Sequence, residues 1–271
     1  MSNITHDVSI LIRTRDIENR FLELLWRLSH QTLKPSELVI VDNFSSKESL
    51  EKMLTFLSMA KAKIFKGFVD MKLAPIADEE FSHPFSTNVG VFFAKCELVC
   101  ITNGHSLPSS NFWLENGLTH FEGSDVAGVG GYFSSHMDGG VWEKIVYGCW
   151  SGLNGLSGAR FKSNHFSTVN CIIRKSLWKE YPFDEKLPKI IPYSKNFGGE
   201  DYDWAVEMQA RGYKVILDPT FNVYHSHREN PQKLISKHII WSKIKADIRS
   251  LKRPRVSYTR LWRTKPVCYS L

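Results

Sequence analysis

The chain has no long apolar run. None of its 271 residues belongs to an uninterrupted apolar stretch of about 18 residues or more, the length that a transmembrane helix needs. Residues 1–7 also lack the basic region and apolar segment of a secretory signal peptide. The first absence argues against a membrane-spanning protein, and the second predicts that the protein is cytoplasmic.

Paired cysteines and the common nucleotide-binding motifs are missing as well. The five cysteines are odd in number and form no CxxC pair, which predicts buried free thiols and argues against a cysteine-ligated zinc site. Neither GxGxxG nor GxxxxGK followed by Ser or Thr occurs. The sequence therefore supports neither a dinucleotide-binding fingerprint nor a P-loop.

Acidic residues are scarce in the C-terminal tail alone. Between Arg228 and Leu271 there are 12 Lys/Arg and only 2 Asp/Glu, a net charge of +10. The rest of the chain carries 23 basic and 26 acidic side chains, a net charge of −3. This distribution argues against a nucleic-acid partner for the main body, and it predicts a tail that meets an anionic partner.

What the sequence does contain is an alternation of strand and helix patterns, which predicts a mostly parallel sheet flanked by helices. The predicted elements are strand 8–12, helix 21–28, strand 38–41, helix 48–57, a strand within 62–69, helix 85–94, strand 97–101, helix 112–121, strands 126–129 and 167–173, helices starting near 175 and 200, strand 213–217 and helix 232–251. The segment 130–158 has weak periodicity and is predicted to be an irregular insertion, either part of a binding pocket or a solvated loop.

Polar side chains follow the first two predicted strands. Arg13, Thr14 and Arg15 come after strand 8–12, and Asp42 comes after strand 38–41. Ligands of parallel sheets bind beyond the carboxyl ends of the strands. A lone aspartate there is usually a turn former, but an aspartate with two arginines suits a nucleoside diphosphate, whose phosphates the arginines can face.

Two adjacent carboxylates, Glu200 and Asp201, open a predicted helix directly after Gly198 and Gly199. Acidic residues in a first helical turn are often no more than a match to the helix dipole. The glycines allow a loop to move over a ligand, and Trp204 in the same helix can form a pocket wall. Both interpretations of the acidic pair, helix capping and catalysis, follow from the pattern.

Three histidines occupy positions that suit a metal ion. His225 and His227 share one side of an extended segment, so both rings can point at one ion. His105 follows strand 97–101 in a stretch of small polar residues; a histidine in that setting is more often a turn residue than a metal ligand.

The tail begins with a basic amphipathic helix, predicted at 232–251. Such helices lie on anionic membrane surfaces, although the same pattern fits a helix packed against its domain with a solvated basic face. We expect two regions, a main domain at 1–230 and a basic helical tail at 231–271.

Six segments together resemble the glycosyltransferases of family 2, which have the GT-A fold. They are VSILIRTRD, ELVIVDNFSS, STNVG with AKCELV, ITNGHSLP, GGEDYDWA and VYHSH, in this order from Val8 to about His227. The pattern is most similar to bacterial enzymes that build surface polysaccharides, including rhamnosyltransferase-like members. The resemblance implies a Rossmann-like α/β domain with a mostly parallel central sheet.

The resemblance also implies roles for particular residues. Asn103 and His105 stand where the family carries the two aspartates of its metal-binding motif, which leaves the need for Mn²⁺ or Mg²⁺ open. The implied sites are a catalytic base at Asp201 supported by Glu200, a donor nucleotide site at Arg13, Thr14, Arg15, Asp42, Asn88 and Asn103, a metal site at His105, His225 and His227, and an acceptor pocket at Trp204 and Asn170.

The activity implied is inverting transfer of a sugar from a UDP-sugar or dTDP-rhamnose to a hydroxyl of a glycan or lipid-linked acceptor. The tail would then hold the enzyme on the inner face of the plasma membrane. Two alternatives are a degenerate module that only binds nucleotide or glycan, and a sugar nucleotidyltransferase. The intact acidic pair argues against the first, and Arg13-Thr14-Arg15 is unlike the glycine-rich loop of the second.

Overall fold

A nine-stranded sheet forms the centre of the protein. The computed structural model describes residues 7–155 and 165–271. The strands are β1 Val8–Thr14, β2 Glu37–Phe44, β3 Asp70–Ala77, β4 Leu98–Asn103, β5 Leu107–Pro108, β6 Val126–Ser134, β7 Asn170–Arg174, β8 Lys214–Tyr224 and β9 Tyr269–Ser270. The helices are α1 Phe21–Ser29, α2 Lys47–Lys63, α3 His83–Phe93, α4 Trp113–Leu118, α5 Val141–Gly155, α6 Lys175–Glu180, α7 Leu187–Ile190, α8 Glu200–Ala210 and α9 Pro231–Ser250.

The strand order is β5-β8-β6-β7-β4-β1-β2-β3-β9. The pairs β1–β2, β1–β4, β2–β3 and β6–β8 are parallel, and β7 is antiparallel to both β4 and β6. Strands β1, β2, β3, β4, β6 and β8 therefore run in one direction. Their carboxyl ends share an edge with the amino end of β7, so residues far apart in sequence converge there.

Apolar side chains cover both faces of the sheet. Along β1, Ile10 and Ile12 belong to one buried cluster and Leu11 belongs to the other, as the period of two in a strand requires. Helices α1, α2 and α4 pack on the first face, and α3, α6 and α8 pack on the second. The predicted spacing of apolar residues in α1 is confirmed, since Phe21 and Leu25 are fully buried.

Two predicted elements are wrong. The strand predicted within 62–69 lies instead at Asp70–Ala77, because α2 continues to Lys63 with Ala60 still buried on its inner face. Pro75 is tolerated in β3 because the outer neighbour β9 pairs only with Lys72 and Leu73. The insertion predicted at 130–158 is largely regular: β6 runs to Ser134 and α5 follows, while 156–158 lie outside the described residues.

The tail packs against the same body as the sheet. Leu234, Ile244 and Ile248 of α9 are buried, the last two in a cluster with Tyr202 of α8. Further along, β9 adds an antiparallel strand to β3. Leu234, Ile244 and Ile248 are thus turned to the protein, whereas Ile235 and Ile239 of the same helix are exposed. Membrane attachment through 231–271 stays a prediction. Among the described residues, no helix combines the length and apolar character that crossing a bilayer requires.

Candidate active site

The carboxyl edge of the sheet opens onto one cavity of about 550 Å³. Arg13 lies near the end of β1, Asn103 ends β4, and His225 follows β8. Because these strands run in the same direction, their ends meet at this edge. The cavity is lined by seven of the predicted site residues, namely Arg13, Asn103, His105, Glu200, Asp201, His225 and His227.

The acidic pair begins α8 and is delivered by two glycines with positive φ. Gly198 has φ of 77° and Gly199, the residue before the helix, has φ of 120°. Side-chain-bearing residues rarely adopt these angles. A Cβ atom on Gly199 would also lie 2.8 Å from Cγ2 of Ile244 in α9. The glycines are needed for the close approach of α9 to the start of α8.

The two carboxylates have different surroundings. Asp201 Oδ2 accepts a hydrogen bond of 3.0 Å from the backbone N–H of Thr168. Glu200 is only 5% exposed. Burial, and then repulsion by Asp201, raise the pKa of Glu200 to about 7, with Arg13 acting in the opposite direction. Burial beside a second carboxylate therefore favours the protonated form of Glu200 more than water does.

Arg13 is held in place by the loops around it. Its Nη1 donates to Thr87 Oγ1 at 2.9 Å, and its Nη2 donates to Asn103 Oδ1 at 3.0 Å and to Thr168 Oγ1 at 3.1 Å. The Asn103 amide oxygen thus orients a cation that lies near both Glu200 and Asp201. A fixed guanidinium at this position can face an anionic ligand in the cavity.

The three predicted histidines lie together. One ring nitrogen from each of His105, His225 and His227 lies within 4.8 Å of the others, and the Nε2 atoms of His225 and His227 are 3.1 Å apart. Burial, followed by the nearby His105, lowers the pKa of His225 well below its usual range. His225 is therefore neutral, which is the form that binds metal ions.

This ligand set fits some divalent ions better than others. His105 Nε2 is buried and has no hydrogen-bond partner among the described residues, as expected of an atom that faces an ion. Imidazole nitrogen suits divalent transition metals, whereas Mg²⁺ takes oxygen ligands in an octahedron. The three histidines fit a nitrogen-accepting divalent ion and do not fit the predicted alternative, Mg²⁺.

Comparison with solved structures identifies the architecture. No protein-family model matches the sequence, and no curated protein matches it. The mannosyltransferase PcManGT from Pyrobaculum calidifontis, in complex with GDP-Man and Mn²⁺, is 16% identical, with a TM-score of 0.61 over 92% of this chain and 67% of that chain. TarS 1–349 of S. aureus is 15% identical, with a TM-score of 0.59 and the same coverage. This chain has the GT-A fold.

A third GT-A neighbour is GalNAc-T7 with UDP, GalNAc and Mn²⁺. It is 16% identical, with a TM-score of 0.57 over 82% of this chain and 44% of that chain. At these identities the likeness is one of fold. The predicted Rossmann-like α/β class with a mostly parallel sheet is thereby confirmed.

Within this GT-A domain, three predicted donor-site residues do not line the cavity. Thr14 and Asp42 are paired in register at the ends of β1 and β2. Arg15 is on the surface, where its Nη2 donates to Asp78 Oδ2 at 2.9 Å. Asp42 is fully buried, and its Oδ2 has no hydrogen-bond partner in the described part of the chain.

Asp42 also makes the stability of the GT-A domain depend on pH. Burial is the main cause that raises its pKa to about 7; Asp16 and Glu18 add repulsion, and the Asp16 N–H opposes the change. Between about pH 4 and pH 7 the folded state keeps a proton that the unfolded state has lost, so stability falls as pH rises. We expect Asp42→Asn to be more stable than the wild type above pH 7, by roughly 2–4 kcal/mol, and equal to it near pH 4.

The measurement is urea unfolding from about pH 5 to about pH 8. Glu122→Gln serves as the control, because Glu122 is exposed on the surface. A stability difference between Asp42→Asn and wild type that stays constant over this range would contradict the assignment.

Two asparagines that were predicted as site residues use their side-chain amides for hydrogen bonds within the core. Asn88 is fully buried; its Oδ1 accepts from Trp178 Nε1 at 2.9 Å and from the Phe183 N–H at 3.1 Å. Asn170 is 1% exposed, and its Oδ1 accepts from Trp113 Nε1 at 3.1 Å. Neither lines the cavity, so the structure does not place Asn88 at the donor or Asn170 at the acceptor.

Trp204, the other residue predicted for the acceptor pocket, lies in the core. It is fully buried and stacks on Phe166, with ring centroids 5.5 Å apart. Asp201, at the start of α8, lines the cavity, whereas Trp204, about one turn further along, packs into the core beneath it. The indole that does line the cavity is Trp241 of α9, whose Nε1 donates to Phe197 O at 3.0 Å.

The sequence analysis did not predict that α9 contributes residues to the cavity lining. Lys233, Lys237, Trp241 and Lys245 line it, each four residues after the last, so they form one helical face. Lys237 Nζ donates to Glu229 Oε1 at 2.6 Å. The regular spacing of four, directly after the histidine pair, was the available signal. The tail thus brings three cations to the candidate active site.

Proposed function

We propose that this protein is an inverting glycosyltransferase of family 2, which moves a sugar from a nucleoside diphosphate to an acceptor hydroxyl. The observation that supports this proposal most is the cavity at the carboxyl edge of the GT-A sheet. It combines two carboxylates, which can accept a proton, with three histidines and several cations, which can hold a diphosphate. The GT-A neighbours with GDP-Man, UDP and Mn²⁺ support the same reaction class.

Asp201 acts as the general base in this proposal. An acceptor hydroxyl is a weak nucleophile at neutral pH, and a carboxylate beside it accepts its proton as the new C–O bond forms. Such assistance is worth about 10²–10⁴-fold in rate. The Thr168 N–H fixes one Asp201 oxygen, which leaves the carboxylate oriented. Glu200, with its pKa raised to about 7, supports the base and can hold the proton afterwards.

The leaving group is a nucleoside diphosphate, whose negative charge grows as the glycosidic bond breaks. Arg13 and Lys237 line the cavity, and their positive charges can stabilise that negative charge. A divalent ion held by His105, His225 and His227 would supply Lewis-acid stabilisation of the diphosphate when bound. Gly198 and Gly199 allow the segment before α8 to adjust as the site excludes water.

The donor and acceptor follow from the family resemblance. A UDP-sugar is the first candidate and dTDP-rhamnose the second, and the resemblance gives Asp42 the role of accepting from the base or ribose. The acceptor is a glycan or a lipid-linked glycan of a bacterial surface polysaccharide, which places the enzyme in the cytoplasm at the inner face of the membrane. Nucleic acid is not a partner in this proposal.

Donor binding tests the proposal. We expect UDP or dTDP sugars to raise the melting temperature, more so with Mn²⁺, and Lys237→Gln to weaken donor binding by roughly tenfold because one charged contact to phosphate is worth about 1–2 kcal/mol. Lys243→Gln is the matched control on the exposed side of α9. Absence of any effect from UDP, dTDP and GDP sugars would overturn the proposal.

Turnover separates the alternatives. A degenerate binding module would bind a nucleotide sugar without hydrolysing or transferring it. A nucleotidyltransferase would consume a nucleoside triphosphate and a sugar phosphate and release pyrophosphate. Release of nucleoside diphosphate from the sugar donor is the outcome that the glycosyltransferase proposal requires.

A further inference from the structure

The histidine cluster is oriented by groups behind two of its rings. His105 Nδ1 donates to Glu18 Oε2 at 2.5 Å, and Glu18 Oε1 accepts from Thr14 Oγ1 at 2.9 Å. A carboxylate has no hydrogen to donate, so the Nδ1 atom of His105 is the donor, and in the neutral tautomer that this bond selects the lone pair is on Nε2. Ser106 Oγ lies 3.0 Å from His225 Nδ1 and can accept from it in the same way.

One nitrogen of each ring lies close to those of the other two. His105 Nε2 is buried without a partner among residues 7–155 and 165–271, and the Nε2 atoms of His225 and His227 are 3.1 Å apart. No two of these three ring nitrogens are more than 4.8 Å apart. Two nitrogens bound to one tetrahedral ion at about 2.0–2.1 Å each lie about 3.3–3.4 Å apart, so the most widely separated rings need to approach by at most about 1.5 Å.

Three imidazole ligands suit only some divalent metal ions. None of the three is a carboxylate, so the ligand set consists of three imidazole nitrogens and carries no negative charge. Mg²⁺ demands oxygen and loses its water reluctantly, whereas Zn²⁺ and Co²⁺ accept imidazole readily. A carboxylate behind a ligating histidine is the usual way in which proteins fix the ring and strengthen its nitrogen as a ligand.

We propose that His105, His225 and His227 form a nitrogen-only site that binds Zn²⁺ or Co²⁺ in preference to Mg²⁺, with Glu18 as the positioning residue of His105. The ion's part in sugar transfer rests on the proposed function, but its binding does not. Glu18 had no place among the residues predicted from the sequence. Its position four residues after Thr14, in the turn between β1 and α1, places it behind the cavity wall.

The test is titration of the full chain with the metal salt alone, without donor or acceptor. We expect Co²⁺ to bind with a visible absorption band typical of nitrogen ligands, Zn²⁺ to displace it, and millimolar Mg²⁺ to leave the band unchanged. Calorimetry should give one site. His105→Ala should abolish the band, and Glu18→Gln should weaken Co²⁺ binding by about 10–100-fold.

The chain supplies a matched control pair. His120 Nε2 and Asp218 Oδ2 are also a histidine–carboxylate pair, 2.6 Å apart, but they lie away from the cavity. His120→Ala and Asp218→Asn should leave the Co²⁺ band and affinity unchanged. Circular dichroism shows whether each variant is folded, and Glu18→Asp, which keeps the carboxylate, should restore part of the affinity that Glu18→Gln loses.

Two results would overturn the assignment. One is Mg²⁺ binding as tightly as Zn²⁺ or Co²⁺, which would show an oxygen site. The other is unchanged Co²⁺ affinity in folded His105→Ala, which would place the ion elsewhere. Because no sugar nucleotide is present, either result leaves the proposed sugar transfer to be judged by the donor experiments.

Discussion

Replacement of Asp201 by asparagine is expected to lower the rate of sugar transfer by about 10²–10⁴-fold while leaving donor affinity near the wild-type value. Asparagine keeps the size of the side chain and can still accept from the Thr168 N–H, which holds Asp201 Oδ2 at 3.0 Å. What it loses is the ability to take the acceptor proton. The loss should therefore fall on kcat, because that proton moves only in the transition state.

The measurement is nucleoside diphosphate release with acceptor present, together with donor binding by calorimetry. Asp125→Asn is the control, since Asp125 is an exposed carboxylate that pairs with Lys214 at the surface. Turnover of Asp201→Asn equal to wild type would remove Asp201 as the base. A loss confined to Glu200→Gln would transfer the role to its neighbour.

Removal of the Asp203 carboxylate is expected to give the largest loss of stability. Its Oδ1 accepts from Arg253 Nη2 and Arg255 Nη1, each at 2.7 Å, and its Oδ2 accepts from Tyr181 Oη at 2.7 Å. The Asp203 side chain is fully buried and both arginines are 11% exposed. Asp203→Ala leaves two buried cations with fewer partners, at a cost of about 3–5 kcal/mol.

Urea unfolding measures this cost. Asp78→Ala is the control, because its ion pair with Arg15 is exposed and such pairs contribute about 0–1 kcal/mol. The same contacts predict that a chain ending at Pro231 unfolds more readily than the full chain, since it lacks Arg253 and Arg255. Equal stability of Asp203→Ala and Asp78→Ala would show that the tail is not anchored through this cluster.

The contacts that anchor the tail could not be predicted from the sequence. The basic character of the tail is evident from the sequence. Charge alone does not predict which of its arginines form ion pairs with buried acidic residues. Arg253 and Arg255 are paired with Asp203 across about 50 residues of sequence, a contact that no local pattern encodes. Sequence reasoning did locate α9 itself, since the helix predicted at 232–251 is observed at Pro231–Ser250.

The candidate active site also contains residues that the sequence predicts and residues that it does not. Residues at strand ends, such as Arg13 and His225, could be predicted because parallel strands bring their carboxyl ends to one edge. Trp204 could not be placed from its residue type, since the rotation of α8 decides whether it faces the cavity or the core. Glu18 and Thr168 were missed because each acts through another side chain or through a backbone N–H, and neither contact has a sequence signature.

A crystal structure with UDP and Co²⁺, with the ion located by its anomalous scattering, tests most directly whether one cavity performs the whole reaction. The result predicted here is an anomalous peak beside His105, His225 and His227, with the diphosphate between that peak and Arg13 and with Asp201 on the open side. A diphosphate bound outside this cavity, with Asp201 facing only solvent, would contradict the account.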